Sequence, residues 1–132
     1  MYRLSKRSGF TLVEIMIVVA IIALLAAIAI PNLLRAKISS NDATAKATLR
    51  TLSTASETFV TSNNGNYPTD ITSLTGASPA YVNAPYCGTT ASGYVFACSF
   101  AATGYTVTAT PSNVGTSGTT TFTVSTGGIL AP

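Results

Sequence analysis

The 132-residue chain has no His and no Trp, only two Cys, and 8% charged residues. Each shortage removes a class of chemistry. Without His there is no imidazole base and no His ligand for a metal, and two Cys cannot fill a four-ligand zinc site. The four acids, Glu14, Asp42, Glu57 and Asp70, are spread too evenly to suggest a catalytic pair. No enzymatic activity, metal or cofactor is therefore expected, and the length allows one domain at most. The formal charge of +3 resolves by position. Arg3, Lys6 and Arg7 stand at the N-terminus, while Arg35, Lys37, Lys46 and Arg50 are offset by the four acids. Binding to nucleic acid needs clustered cations against phosphate, so nucleic acid is not an expected partner.

What the chain has in quantity is apolar sequence. Residues 10–30 read FTLVEIMIVVAIIALLAAIAI, in which only Thr11 and Glu14 are polar. A helix of that length spans roughly 31 Å, about the hydrocarbon thickness of a bilayer, which predicts a membrane segment. The three basic residues before it hold the N-terminus in the cytoplasm by the positive-inside rule and send the rest across.

Residues 32–62 change pattern without an obvious break. Ile38, Ala45, Leu49, Leu52 and Phe59 recur at helical spacing, with Arg35, Asp42, Lys46, Arg50 and Glu57 on an adjacent stripe. An amphipathic helix is predicted, its charged stripe solvated or facing another subunit. Asp42 four residues before Lys46 has the better orientation for an exposed helical pair. Pro31 removes one backbone donor and crowds the carbonyl of Ala27. It either kinks one long helix or separates two, and both readings stay open. A continuous element would run roughly 75 Å, too long to bury itself within this chain. Its stability would come from lipid, other copies, or both.

Asn63, Asn64, Gly65, Asn66 and Pro68 stop the helix. After Asp70 the chain has no charge and is rich in Ser and Thr. Tyr94 to Phe100, Tyr105 to Thr110 and Thr120 to Ser125, with Ile129 and Leu130 after two glycines, read as three or four short antiparallel strands. Tyr105, Val107 and Ala109 fall on one face and Thr106, Thr108 and Thr110 on the other, so the first set is expected on the helix. Cys87 and Cys98 lie in the segment placed outside the cytoplasm, where an oxidising compartment favours a bridge over two free thiols. No base or cation lies nearby in sequence to make either one catalytic.

Glu14 needs a reason, because a carboxylate in an apolar helix is costly at the bilayer centre and less so near the interface. It either snorkels or meets a cation supplied by processing or by another chain. The string KRSGFTLVEIMIVVAIIALLAAIAIPNLLRAK, from Lys6 to Lys37, resembles the N-terminus of type IV pilin precursors and of type II secretion pseudopilins. The likeness lies in a short basic leader ending in Gly9, Phe10 next, Glu14 fifth in the mature chain, and Pro31 beyond the apolar run. It implies that a prepilin peptidase cuts between Gly9 and Phe10 and methylates the new amine of Phe10. It also implies that this amine meets Glu14 of a neighbouring copy, matching two charges that lipid penalises separately. Residues 15–30 would then exchange lipid for helix contact, with Ala20, Ala23, Ala26, Ala27 and Ala29 allowing close approach.

The resemblance implies an α+β pilin fold: a long kinked N-terminal helix packed on a small C-terminal antiparallel sheet. The expected parts are a leader over 1–9, a membrane and filament-core helix over 10–31, an amphipathic helix over 32–62, and a β domain with one disulfide loop over 63–132. The expected partners are further copies in a helical filament, the prepilin peptidase, the assembly machinery and, before assembly, the bacterial inner membrane. Residues 64–74, NGNYPTDITSL, also resemble the stretch after the long helix in major pseudopilins. Those carry an acidic calcium site near the C-terminus, and no acid follows Asp70 here, which tips the expectation towards a surface pilus. Two alternatives compete. A secretory signal cut after Ala29 would release a soluble domain, but the apolar run is too long and contains an acid. A single-span anchor with a surface binding domain leaves Gly9 and Glu14 unexplained.

Overall fold

The computed structural model describes residues 9–132; the basic residues Arg3, Lys6 and Arg7 lie outside the described part. The chain divides into two compact units, Met1–Arg35 and Ala36–Pro132. The first helix, α1 (Leu12–Ser62), begins in the first unit, ends in the second, and contains Pro31 without interruption of its helical assignment. Ile15 donates its N–H to the Thr11 carbonyl to close the first turn. At the other end Asn64 and Gly65 take positive φ angles of 54° and 82°, and the Gly65 N–H bonds back to the Val60 carbonyl. That left-handed stop is what the Asn-Gly cluster supplies.

In the first unit, residues 12–34 are almost all exposed, including sixteen consecutive positions of Val, Ile, Leu, Met and Ala after Glu14 with only Ala26 half-buried among them. A face like that is not a finished surface in water. The second unit has its own core. Ala45, Leu49, Leu52 and Ala55 of α1 are buried against Tyr94, Phe96, Tyr105, Val107, Ala109, Phe122 and Val124. Ile38 and Phe59, predicted on the same stripe, are half-buried at its margins.

The sheet is a five-stranded antiparallel meander in the order β1-β2-β3-β4-β5. Its strands are β1 (Thr90–Ala91), β2 (Tyr94–Ala101), β3 (Gly104–Pro111), β4 (Phe122–Ser125) and β5 (Ile129–Ala131). The strand β1 exceeds the three or four predicted, because two residues leave no periodicity to read; it exists by pairing Thr90 with Val95 and Ala91 with Tyr94. In β3 the alternation falls as predicted: Tyr105, Val107 and Ala109 are buried while Thr106 and Thr110 are exposed. A short helix, α2 (Ile71–Thr75), precedes the sheet. Its N-cap Asp70 accepts hydrogen bonds from Ser73 N and from the Thr72 and Ser73 hydroxyls, each at 2.7 Å, and these hold its carboxyl below the usual aspartate range.

Cys87 and Cys98 form a disulfide with Cα atoms 5.5 Å apart. It ties the segment leading into β1 to the middle of β2, where Gly88 N also donates to the Phe96 carbonyl.

The charged stripe of α1 does not sit as an exposed paired row. The Tyr94 hydroxyl lies 2.6 Å from Asp42 Oδ1 and 3.0 Å from the Thr120 carbonyl. Glu57 accepts from the Tyr67 hydroxyl, the Tyr105 hydroxyl and Gly127 N, at 3.1, 3.2 and 2.8 Å. Since Tyr105 donates to Glu57, the buried Ser53 hydroxyl, 2.8 Å away, donates to Tyr105. Lys46 places its ammonium 4.6 Å from the centre of the Phe122 ring. The Asp42–Lys46 pair suggested by spacing is therefore replaced by two contacts to the sheet. A pair worth a few tenths of a kcal/mol loses to a charge-assisted bond from a part-buried phenol. Burial, reinforced by the facing carboxylates, pushes the Tyr67, Tyr94 and Tyr105 phenols up.

Candidate functional site

Of the residues singled out at this end of the chain, Gly9 and Phe10 precede α1 and Glu14 lies in its first turn. Phe10 is 86% exposed, and a Cβ built on Gly9 meets nothing within 4 Å. Glu14 Oε2 accepts from Thr11 N and from Thr11 Oγ1, both at 2.8 Å, and Glu14 N donates to Thr11 Oγ1 at 3.2 Å. The helix starts at Leu12, so Thr11 is the N-cap and Glu14 the third helical residue, a reciprocal capping box. Two of the amides that a helix start leaves unpaired are satisfied in this way. The other carboxylate oxygen, Oε1, accepts no hydrogen bond from the described residues. Negative charge is also favourable at this end of the helix, where backbone N–H dipoles converge.

The arrangement offers one acid with a free oxygen, at the head of a helix whose next sixteen residues, 15–30, are apolar and almost all exposed. No cluster of three or more His, Cys, Asp or Glu that could hold a metal ion is found among the described residues. What Glu14 can do chemically is accept a further hydrogen bond or a cation at Oε1. Of the other singled-out positions, Pro31 lies within α1, and Cys87 and Cys98 are bridged in the second unit.

The part played by Thr11 escaped the sequence reading. Its signal was available: a Thr followed three residues later by Glu, directly before an apolar run. Likewise, the inward turn of Asp42 and Glu57 could be suspected only from the excess of tyrosines in a charge-free sheet segment.

Residues 4–30 match the family described as the prokaryotic N-terminal methylation motif. The chain is 52% identical over 54 residues to the type IV major pilin protein PilA of Myxococcus xanthus, a stretch covering 41% of this chain and 24% of that one. It is 44% identical over 61 residues to the type IV wide pilus major component PilA4 of Thermus thermophilus, covering 46% of this chain and 47% of that one. The matched stretches thus span less than half the length of either relative. No solved structure matches significantly. With a long N-terminal helix whose second half packs on a five-stranded antiparallel sheet, the chain has a pilin α+β fold, carries the N-terminal methylation motif of prepilins, and has type IV major pilins as its relatives over that region.

Proposed function

We propose that this chain is the structural subunit of a type IV pilus, made as a single-pass inner-membrane precursor and polymerised through α1. The observation that carries the reading is the lone acid Glu14, held by Thr11 at the head of an exposed apolar helix, five residues after Gly9. A prepilin peptidase on the cytoplasmic side cuts between Gly9 and Phe10 and methylates the new amine. Gly9 suits that step because it lets the peptidase backbone approach closely.

Cleavage creates a cation at Phe10. An incoming copy that brings this amine to Glu14 of a copy already in place compensates both charges away from water. Oε1 receives the amine while Oε2 keeps its bonds from Thr11, so pairing does not require the helix cap to open. A paired, hydrogen-bonded charge selects one axial stagger and adds little net stability. The cohesion comes from residues 15–30, which trade lipid for one another, with the small Ala positions allowing close packing. Pro31 would introduce a kink or loosened turn between the filament-core part of the helix and the part that carries the sheet. The subunit itself catalyses nothing, and its mature destination is the cell surface. The pilus components among its relatives favour this over a secretion pseudopilus.

Intact mass of the protein recovered from cells tests the processing: loss of the first nine residues plus one methyl is expected, and a chain starting anywhere but Phe10 overturns it. Glu14→Ala tests the assembly. The variant is cleaved normally and fails to enter sheared filaments; normal filaments from it would remove the mechanism.

A further inference from the structure

The second unit carries three acids, Asp42, Glu57 and Asp70, and three cations, Lys37, Lys46 and Arg50. Formally they cancel. In the fold, however, every hydrogen bond these acids accept comes from a hydroxyl or a backbone N–H. Asp42 and Glu57 are engaged by the sheet, and Lys46 lies against Phe122. One exposed acid, Asp70, and two exposed cations, Lys37 and Arg50, are left over.

Arg50 stands on the outer ridge of α1 and lines a shallow cleft on each flank, shared with Thr54 and Tyr81 on one side and with Glu57 and Gly128 on the other. The ridge hydroxyls of Thr51, Thr58 and Thr61 donate to carbonyls of their own helix, so their donors are already spent. A guanidinium is weakly hydrated and can hold a carboxylate through two parallel bonds. Asp70 is built to complement it. Three donors fix its Oδ1, while Oδ2 accepts nothing from the described residues. No acidic side chain follows it, and Asp42 and Glu57 are half-buried, so Asp70 is the one exposed carboxylate side chain that the second unit of another copy offers Arg50.

We infer that, in a polymer of this chain, Arg50 of one copy receives the Asp70 carboxylate of another. The inference rests on the filament reading and adds a second contact to it, between the sheet-bearing units. A charge pair on an otherwise neutral surface fixes register and excludes wrong alignments more than it adds strength.

The test co-expresses Arg50→Cys chains with Asp70→Cys chains and oxidises sheared filaments mildly. Cross-linked dimers are expected to form at least tenfold more than when Lys37→Cys replaces Arg50→Cys. Because Asp70 also caps α2, Asp70→Asn, which keeps a capping oxygen, serves beside it. Asp70→Asn and Arg50→Gln should each lower the filament surviving shear several-fold, and together no further. Filaments that form normally yet give no preferential 50–70 cross-link, or single variants with wild-type yield, overturn the pairing alone. A wild-type chain that makes no filaments in the same cells overturns the filament reading, and the pairing with it.

Discussion

Glu57 gathers two phenols and one backbone N–H on its two oxygens, and through Tyr105 it orients the buried Ser53 hydroxyl. A Gln in its place keeps one acceptor and turns a donor towards groups that themselves donate. Glu57→Gln is expected to cost about 1–3 kcal/mol, read as a lowered unfolding midpoint of the full chain in detergent. The same tyrosines set the alkaline limit. A phenol raised in the folded state stays protonated while its unfolded counterpart ionises, so stability falls as pH rises above the ordinary value of 10. Phenolate absorbance and loss of circular dichroism should therefore rise together, not in succession. At the acid end the sign reverses. Asp70, depressed by Thr72 and Ser73, contributes stability above the ordinary value of 3.8 and loses it as pH falls through its lower folded value. Asp70→Asn should flatten that acid limb in a series of thermal melts.

Among the elements, the β2 hairpins and the loop before them carry the sharpest constraints. The bridge between Cys87 and Cys98, eleven positions apart, closes a small ring, and the chain-entropy model assigns such a ring somewhat under about 3 kcal/mol. Replacing both cysteines by Ser should lower the unfolding midpoint accordingly, and reductant should do the same to the native chain but not to the variant. Gly118 is constrained differently: a Cβ there would overlap the hydroxyl and ring of Tyr94, which Asp42 and the stacked Phe122 hold in place. Gly118→Ala is expected to cost about 1–3 kcal/mol, measured by denaturant titration. The long helix, its stop at Asn64 and Gly65, and strands β2 to β5 were legible because each has a period or a breaker of its own. Strand β1 and helix α2 were not, since they are too short to show a period and exist through pairing and through the cap at Asp70. Around the candidate site, Gly9, Phe10 and Glu14 were singled out by the order of residues, and the roles given them are proposals. The capping role of Thr11 competes with the reading of a single polar residue in a membrane segment and was hidden by it.

At the level of the whole molecule, the two units make opposite demands on solvent. Residues 12–34 leave nearly every apolar side chain uncovered, whereas Ala36–Pro132 closes its own core and has no buried polar side chain lacking a partner among the described residues. A chain lacking residues 1–35 is therefore expected to be soluble and monomeric, with the near-ultraviolet dichroism of the full chain in detergent. An aggregated or unfolded product would mean that α1 must be whole for the sheet to form. The meander order adds a consequence for synthesis. Because each strand lies beside the one just before it in sequence, no stretch has to wait for a distant partner to be delivered. On the filament reading, a chain threaded outward behind its membrane anchor can zip its hairpins up one after another as they emerge, with β5 joining last.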